Sequence, residues 1–320
     1  MPRRRRIVSG SCLAERKAAR KAVGSLSAST ILPYTRKRYA RAVQAFFHHL
    51  KAHQLPLAAS LLAFDAQVAQ FIDVLWQEGE SRACCGDLIS GLQWFVPGLR
   101  RNLNASWRLH KAWGMRELPR RAPPIPLLLA HAMAMVAIHW QCFDASLAIL
   151  LGFLTYLRTS ELLDLHVRQC TFVGDNKLVI QLPETKGTAR SGAVESVTLV
   201  DELLVPALRR HLAGKPLGHR LLQRSPPQFR TLFRRLTEEL GVTESGFTPY
   251  SLRRGGATFA FQKTGKLDPV TLQGRWRDAS TARIYINSGL LELVQASFPP
   301  ATTHRLLAFQ AGLLTTFSQA

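Results

Sequence analysis

Four prolines, Pro119, Pro123, Pro124 and Pro126, fall within eight residues a little beyond the first third of the chain. Each removes a backbone donor and pushes its predecessor out of the helical region, so residues 116–126 can lie inside neither a helix nor a sheet. The stretch reads as a linker, an extended and semi-rigid spacer between two folding units. Arg120 and Arg121 sit among these prolines, where their guanidiniums can follow a phosphate backbone.

Ahead of the linker, apolar residues recur at helical spacing. Tyr34, Tyr39, Val43, Phe46, Phe47 and Leu50 form one stripe, with Arg36, Lys37, Arg38 and Arg41 on the opposite face. Residues 63–78, 84–95 and 104–113 repeat the pattern, which predicts a small all-helical domain over 30–115. Residues 1–29 open with Arg3-Arg4-Arg5-Arg6 and read as a flexible basic arm, which can lie on DNA, direct nuclear import or remain solvated. His49 and His53 are four residues apart, but no carboxylate completes a metal site, so ordinary histidines are expected there.

Beyond the linker the pattern changes. Residues 127–140 and 143–157 read as two buried helices, the second nearly continuous in apolar side chains and followed directly by Arg158. A guanidinium in such surroundings is costly unless something anionic meets it, either a neighbouring Glu161 or Asp164 or a ligand. Short strands are expected at 177–182 and 195–199 around a turn carrying Lys186, then helices at 202–211, 227–240 and 252–264. Apolar spacing returns at 290–298 and 304–317, where a tail helix can pack on its own domain or on a second subunit. The expected fold class is mainly α with a small antiparallel β-sheet, the second domain filling 127–320.

Lys and Arg number 42 against 21 Asp and Glu, for a net charge of +21. Genome composition can produce such an excess; its arrangement points to a polyanionic partner. Hydrophobic residues make up 47% of the chain, enough to bury real cores. The five cysteines include no CxxC pair, which fits a reducing compartment. The longest apolar run, 145–154, has about half the roughly 20 residues a membrane span needs, so no membrane partner is expected, and the location should be cytoplasmic or nuclear.

Residues 248–285 hold the densest chemistry: Tyr250-Ser251-Leu252-Arg253-Arg254-Gly255-Gly256, then Gly274-Arg275-Trp276, then Tyr285 nine residues after Trp276. Tyr250 and Arg253, three residues apart, share a helix face. Together with Leu157-Arg158-Thr159-Ser160-Glu161 and Lys186-Gly187, these motifs occur in an order and spacing that resemble the catalytic domain of the tyrosine recombinase (phage integrase) family. Their wording looks most like recombinases of eukaryotic mobile elements. Residues 30–50 are similar to the first helix of the family's core-binding domain.

The resemblance implies a helical core-binding domain followed by a mixed α/β integrase-type catalytic domain. It also implies a 3′-phosphotyrosyl intermediate and no cofactor. Tyr285 is then the nucleophile, Arg158 and Arg253 clamp the phosphate oxygens, Lys186 protonates the departing 5′ oxygen, and Trp276 donates its indole N–H. Glu161 orients these groups without touching substrate. Tyr250 stands where the family has His or Lys; a phenol can donate a hydrogen bond but cannot shuttle protons at neutral pH as imidazole does. Double-stranded DNA is the implied partner, with a homo-tetramer on DNA and a monomer in solution. Arg36, Lys37, Arg41, Arg120, Arg121 and Arg254 are candidate DNA contacts. The alternative is a catalytically weak or inactive DNA-binding relative derived from a mobile element.

Overall fold

The most apolar stretch of the chain forms a helix buried almost all round, Phe143–Thr155, in which every residue from Ala145 to Phe153 is inside. A helix with no polar stripe must be surrounded by protein. It runs through the second of two compact units, Met1–Arg120 and Arg121–Ala320. The computed structural model describes residues 12–23, 25–26, 30–119, 121–182 and 194–319.

The first unit contains α1 (Leu13–Val23), α2 (Pro33–Ala52), α3 (Leu61–Gln77), α4 (Arg82–Phe95) and α5 (Asn104–Arg116). α1 occupies part of the stretch expected to be a flexible arm. Its alanines favour the helix, with Glu15 in the first turn and Arg20 and Lys21 in the last, where each charge opposes the helix dipole. α2 to α5 close around Phe46, Leu50, Val68, Ile72, Leu88, Ile89 and Trp113. The buried stripe of α2 is narrower than its sequence suggests, since Tyr34 and Phe47 stay exposed. The buried Asp65 carboxylate of α3 accepts the backbone N–H groups of Ala105 and Ser106 at 2.7 and 3.0 Å. It thereby caps α5 from another helix.

Residues 121–126 do not stand free as a spacer. Ile125 is fully buried in the second unit's core, and its N–H donates to the Ser251 carbonyl at 3.3 Å. A large apolar side chain with a backbone partner gains more by docking than by remaining solvated.

The second unit continues with α6 (Leu127–His139), α7 (Phe143–Thr155) and α8 (Thr159–Leu163). Three strands follow, β1 (Cys170–Val173), β2 (Lys177–Leu182) and β3 (Glu195–Val200). They form an antiparallel sheet in the order β1-β2-β3, with Ile180 opposite both Cys170 and Val197. β2 is the strand the alternation predicts, Leu178, Ile180 and Leu182 facing the core. β1 was not expected: its four residues alternate only between partial burial and exposure, a weak period-two signal.

Helices α9 (Leu204–Leu212), α10 (Pro226–Glu239), α11 (Pro249–Thr264), α12 (Leu267–Gly274), α13 (Ala279–Arg283), α14 (Ser288–Ala296) and α15 (Pro300–Gln319) complete the unit. α15 folds back on its own chain. Leu306, Leu313 and Phe317 are buried in the same core as α6, Gln310 hydrogen-bonds His131 at 2.8 Å, and Arg305 pairs with Glu239 at 2.6 Å. Among the described residues no helix is long and apolar enough to cross a membrane.

Candidate active site

The site is built at the N-terminal end of α11. Pro249 opens the helix, and the Ser251 hydroxyl accepts the Thr248 N–H at 3.1 Å, fixing the first turn that carries Tyr250 and Arg253. Two consecutive glycines follow inside the helix, where they weaken it intrinsically. A Cβ on Gly255 would lie 2.1 Å from the Ile125 carbonyl oxygen, and one on Gly256 would lie 1.8 Å from that of Phe153. Only glycine lets α11 press against α7 and residues 121–126 at once.

That insertion buries Arg253, which is 1% exposed. One terminal nitrogen donates to the Tyr156 carbonyl and the other to that of Gly274 at 2.7 Å, while Nε has no hydrogen-bond partner among the described residues. Tyr156 offers its carbonyl from a left-handed turn (φ 51°) that ends α7. The Arg253 guanidinium lies 4.7 Å from the Trp276 ring and 5.1 Å from that of Tyr285. Burial, with the nearby positive charges of Arg158 and Arg275, lowers its pKa to about 10, so it stays charged at neutral pH.

Arg158 is more open, its side chain 27% exposed. It donates one terminal nitrogen to Glu161 Oε1 at 2.5 Å, and its backbone N–H donates to Glu161 Oε2 at 2.8 Å. Arg275 donates Nη2 to the same Oε2 at 2.6 Å from 114 residues away, and its Nε lies 3.2 Å from Glu195. Burial raises the Glu161 pKa, but Arg275, Arg158 and the backbone N–H outweigh it and hold the carboxyl below its ordinary value.

Tyr285 lies between α13 and α14. The fully buried Thr258 hydroxyl of α11 accepts the Asn287 N–H at 3.2 Å and approaches the Tyr285 carbonyl at 3.4 Å, pinning the backbone around the phenol. The half-buried Tyr285 ring lies 4.6 Å from Trp276 and 5.8 Å from Tyr250. Burial raises its pKa, but the Tyr250 hydroxyl, Arg253, the Trp276 N–H and Arg158 together lower it below the ordinary phenol value. Tyr250 goes the other way, to about 12, through burial and its hydrogen bond to Tyr285.

The fold thus brings Arg158, Glu161, Tyr250, Arg253, Trp276 and Tyr285 together. Lys186 and Arg120 lie outside the described residues. Arg36, Lys37 and Arg41 are exposed on α2 of the first unit, and Arg121 is exposed beside the Tyr285 loop, its Nη1 3.4 Å from the Ile284 carbonyl.

Two expectations need correction. Arg254 is no surface DNA contact: it is 4% exposed and donates to the Ala122 carbonyl at 2.9 Å, because α11 is covered on that side by residues 121–126. Arg253 does not present an open fork either, since two of its nitrogens already hold backbone carbonyls. The residues that sequence reasoning passed over are Arg275, Thr258 and Tyr156. Arg275 carried one signal, a charge between Gly274 and Trp276. Among the described residues no three His, Cys, Asp or Glu side chains gather as metal ligands do.

No protein-family model matches the sequence, and no curated protein does. Solved structures do. The Tn1549 transposon integrase in complex with transposon right end DNA is similar with a TM-score of 0.57 at 12% identity, over 82% of this chain and 99% of that one. The XerH site-specific recombinase bound to difH substrate, a pre-cleavage complex, is similar with a TM-score of 0.53 at 15% identity, over 82% of this chain and 78% of that one. This chain has the tyrosine recombinase fold. At such identity the likeness is one of architecture.

Proposed function

We propose that this chain cuts and rejoins double-stranded DNA as a site-specific recombinase, with Tyr285 as the nucleophile. The observation that carries this reading is the setting of Tyr285: a half-buried phenol packed on Trp276 and on the buried Arg253 guanidinium, whose positive charge favours the phenolate. Attack of the Tyr285 oxygen on a backbone phosphorus forms a phosphotyrosyl bond as the P–O5′ bond breaks. The bond energy is kept for rejoining, and the 5′ oxygen leaves with a proton. Lys186 is the residue whose motif suits it to donate that proton.

Charge gathers on the non-bridging oxygens during the transfer. Arg158, the more exposed guanidinium, is suited to meet them directly. Arg253 Nε, a buried donor with no hydrogen-bond partner among the described residues, and the buried Trp276 Nε1 are suited to a phosphate oxygen that enters beside the Tyr285 ring. Arg121, exposed beside the Tyr285 loop, is suited to hold the DNA backbone there. On this reading the partner is double-stranded DNA, bound by a homo-tetramer, and the protein works in the nucleus of a eukaryote or at a bacterial nucleoid. An origin in a mobile element, as the motif wording suggests, belongs to the same proposal.

A second reading, a DNA-binding relative without turnover, is favoured by Tyr250 in the place of a histidine and by the depth of Arg253. Incubation with nicked duplexes, which trap a covalent adduct, separates the two. The recombinase reading expects an adduct with the wild-type chain and none with Tyr285→Phe; DNA binding without any adduct would leave only the second.

A further inference from the structure

Gly274, Arg275 and Trp276 each grip a different member of the site. The Gly274 carbonyl accepts Arg253 Nη2 at 2.7 Å, the Arg275 side chain reaches Glu161 at 2.6 Å, and the Trp276 ring lies 4.6 Å from that of Tyr285. Three neighbours can diverge in this way because Arg275 adopts the left-handed conformation, φ 54° and ψ 41°, at the end of α12. Such a turn folds the chain back on itself, so that a Cβ on Gly274 would lie only 1.9 Å from the Trp276 ring. Glycine is the ordinary residue at such a helix end, and any other side chain there is strained. An arginine that bears this strain, with its side chain 6% exposed, is held by what its guanidinium does.

Glu161 has two oxygens. Arg158 gives one nitrogen of its fork to Oε1, while Arg275 and the Arg158 backbone N–H fill Oε2. Without Arg275, Oε2 would be open to the rest of the Arg158 fork, and the favoured arrangement of arginine with carboxylate is bidentate. Arg158 would then be drawn toward Glu161, its donors spent on the protein. Arg275 also lies against Glu195, the first residue of β3, and its neighbour Gln273 donates to the Thr198 carbonyl at 3.0 Å, so the contact ties α12 to the sheet.

Resting on the strand-transfer reading above, we propose that Arg275 is a positioning residue: by occupying Glu161 Oε2 it keeps Arg158 bound through one nitrogen and leaves the rest of that guanidinium for the substrate phosphate. It touches no reacting atom itself. Its removal therefore slows transfer more than it weakens DNA binding, and the loss passes through Glu161.

The test begins with a pool of nicked duplexes of random sequence, from which the wild-type chain selects the DNA it traps covalently. Adduct formation on that DNA is then timed in single turnover for Arg275→Gln, Arg275→Lys, Glu161→Gln and the Arg275→Gln/Glu161→Gln pair. Binding is measured by anisotropy with each change in a Tyr285→Phe background. Arg275→Gln should slow the adduct about 100-fold, the order of loss that misplacing a group by about an ångström causes. Binding should change by less than about threefold, and Arg275→Lys should recover about tenfold of the rate. The double variant should be no slower than the slower single one.

Parent-rate reaction by folded Arg275→Gln overturns the proposal. So does a double variant whose loss is the product of the two single losses, or a fall in binding that matches the fall in rate. Should Arg275→Gln not fold, Arg275→Lys alone and paired with Glu161→Gln answers by the same criteria. A wild-type chain that binds the pool and traps none of it overturns the strand-transfer reading itself, and this proposal with it.

Discussion

Tyr250 and Tyr285 face each other at the head of α11, their rings 5.8 Å apart and tilted by 47°. Their pKa values separate: Tyr250 is pushed to about 12, while Tyr285 falls below the ordinary phenol value. Tyr250 therefore remains a proton donor throughout the physiological range and supports the Tyr285 phenolate. If Tyr285 is the nucleophile proposed above, a residue that cannot replace the proton shuttling of a histidine still favours it in this way.

Removing that donor should raise the Tyr285 pKa, because the charged phenolate loses a hydrogen bond. With Tyr250→Phe, the rising limb of adduct formation against pH should move to higher pH. At neutral pH the rate should fall about tenfold for each unit the phenol rises. An unchanged profile would show that the Tyr250 hydroxyl does not act on Tyr285.

Glu161 predicts an acid-side effect on stability. Its pKa lies below the ordinary 4.5, so its charge stabilises the fold fully above that value, and the contribution is lost as pH falls through the lower folded value. Breaking this buried cluster with Glu161→Gln should cost about 3 kcal/mol at pH 7. The gap between variant and parent in urea melts should narrow as the pH falls below 4.5 and the parent carboxyl takes up its proton.

Gly256 tests the packing that buries Arg253. An alanine Cβ would stand 1.8 Å from the Phe153 carbonyl oxygen and 2.8 Å from the Tyr156 ring, neither of which is the loose end of a flexible side chain. Gly256→Ala should cost about 3 kcal/mol or more. Gly98→Ala, with open space around its Cβ, should stay within about 0.5 kcal/mol of the parent. Thermal melts of the two variants make the comparison.

The cis packing of α15 makes a further prediction. Leu306 is fully buried, so Leu306→Ala should cost about 2–4 kcal/mol. A chain ending at Pro299 should melt at a distinctly lower temperature, since the core it shares with α6 is opened. An unchanged melting temperature for that truncation would mean that α15 adds nothing to its own domain.

By itself the sequence determined the order and chemical type of the site. Tyr285, Trp276, Arg253 and Arg158 could be picked out because their motifs are short, and β2, β3 and most of the longer helices, though not α1, α8, α12 or α13, followed from apolar periodicity, which is a local property. Tertiary structure decided what each of these groups faces. Arg253 and Arg254 are neighbours pointing in different directions from one helix, yet both are buried, because α11 is wedged between α7 and residues 121–126 through two glycines. Arg275 joins Glu161 across 114 residues by way of a left-handed turn. α15 packs in cis because its apolar face meets α6. Burial and long-range charge pairing depend on which surfaces meet in space, and no local pattern of residues encodes that.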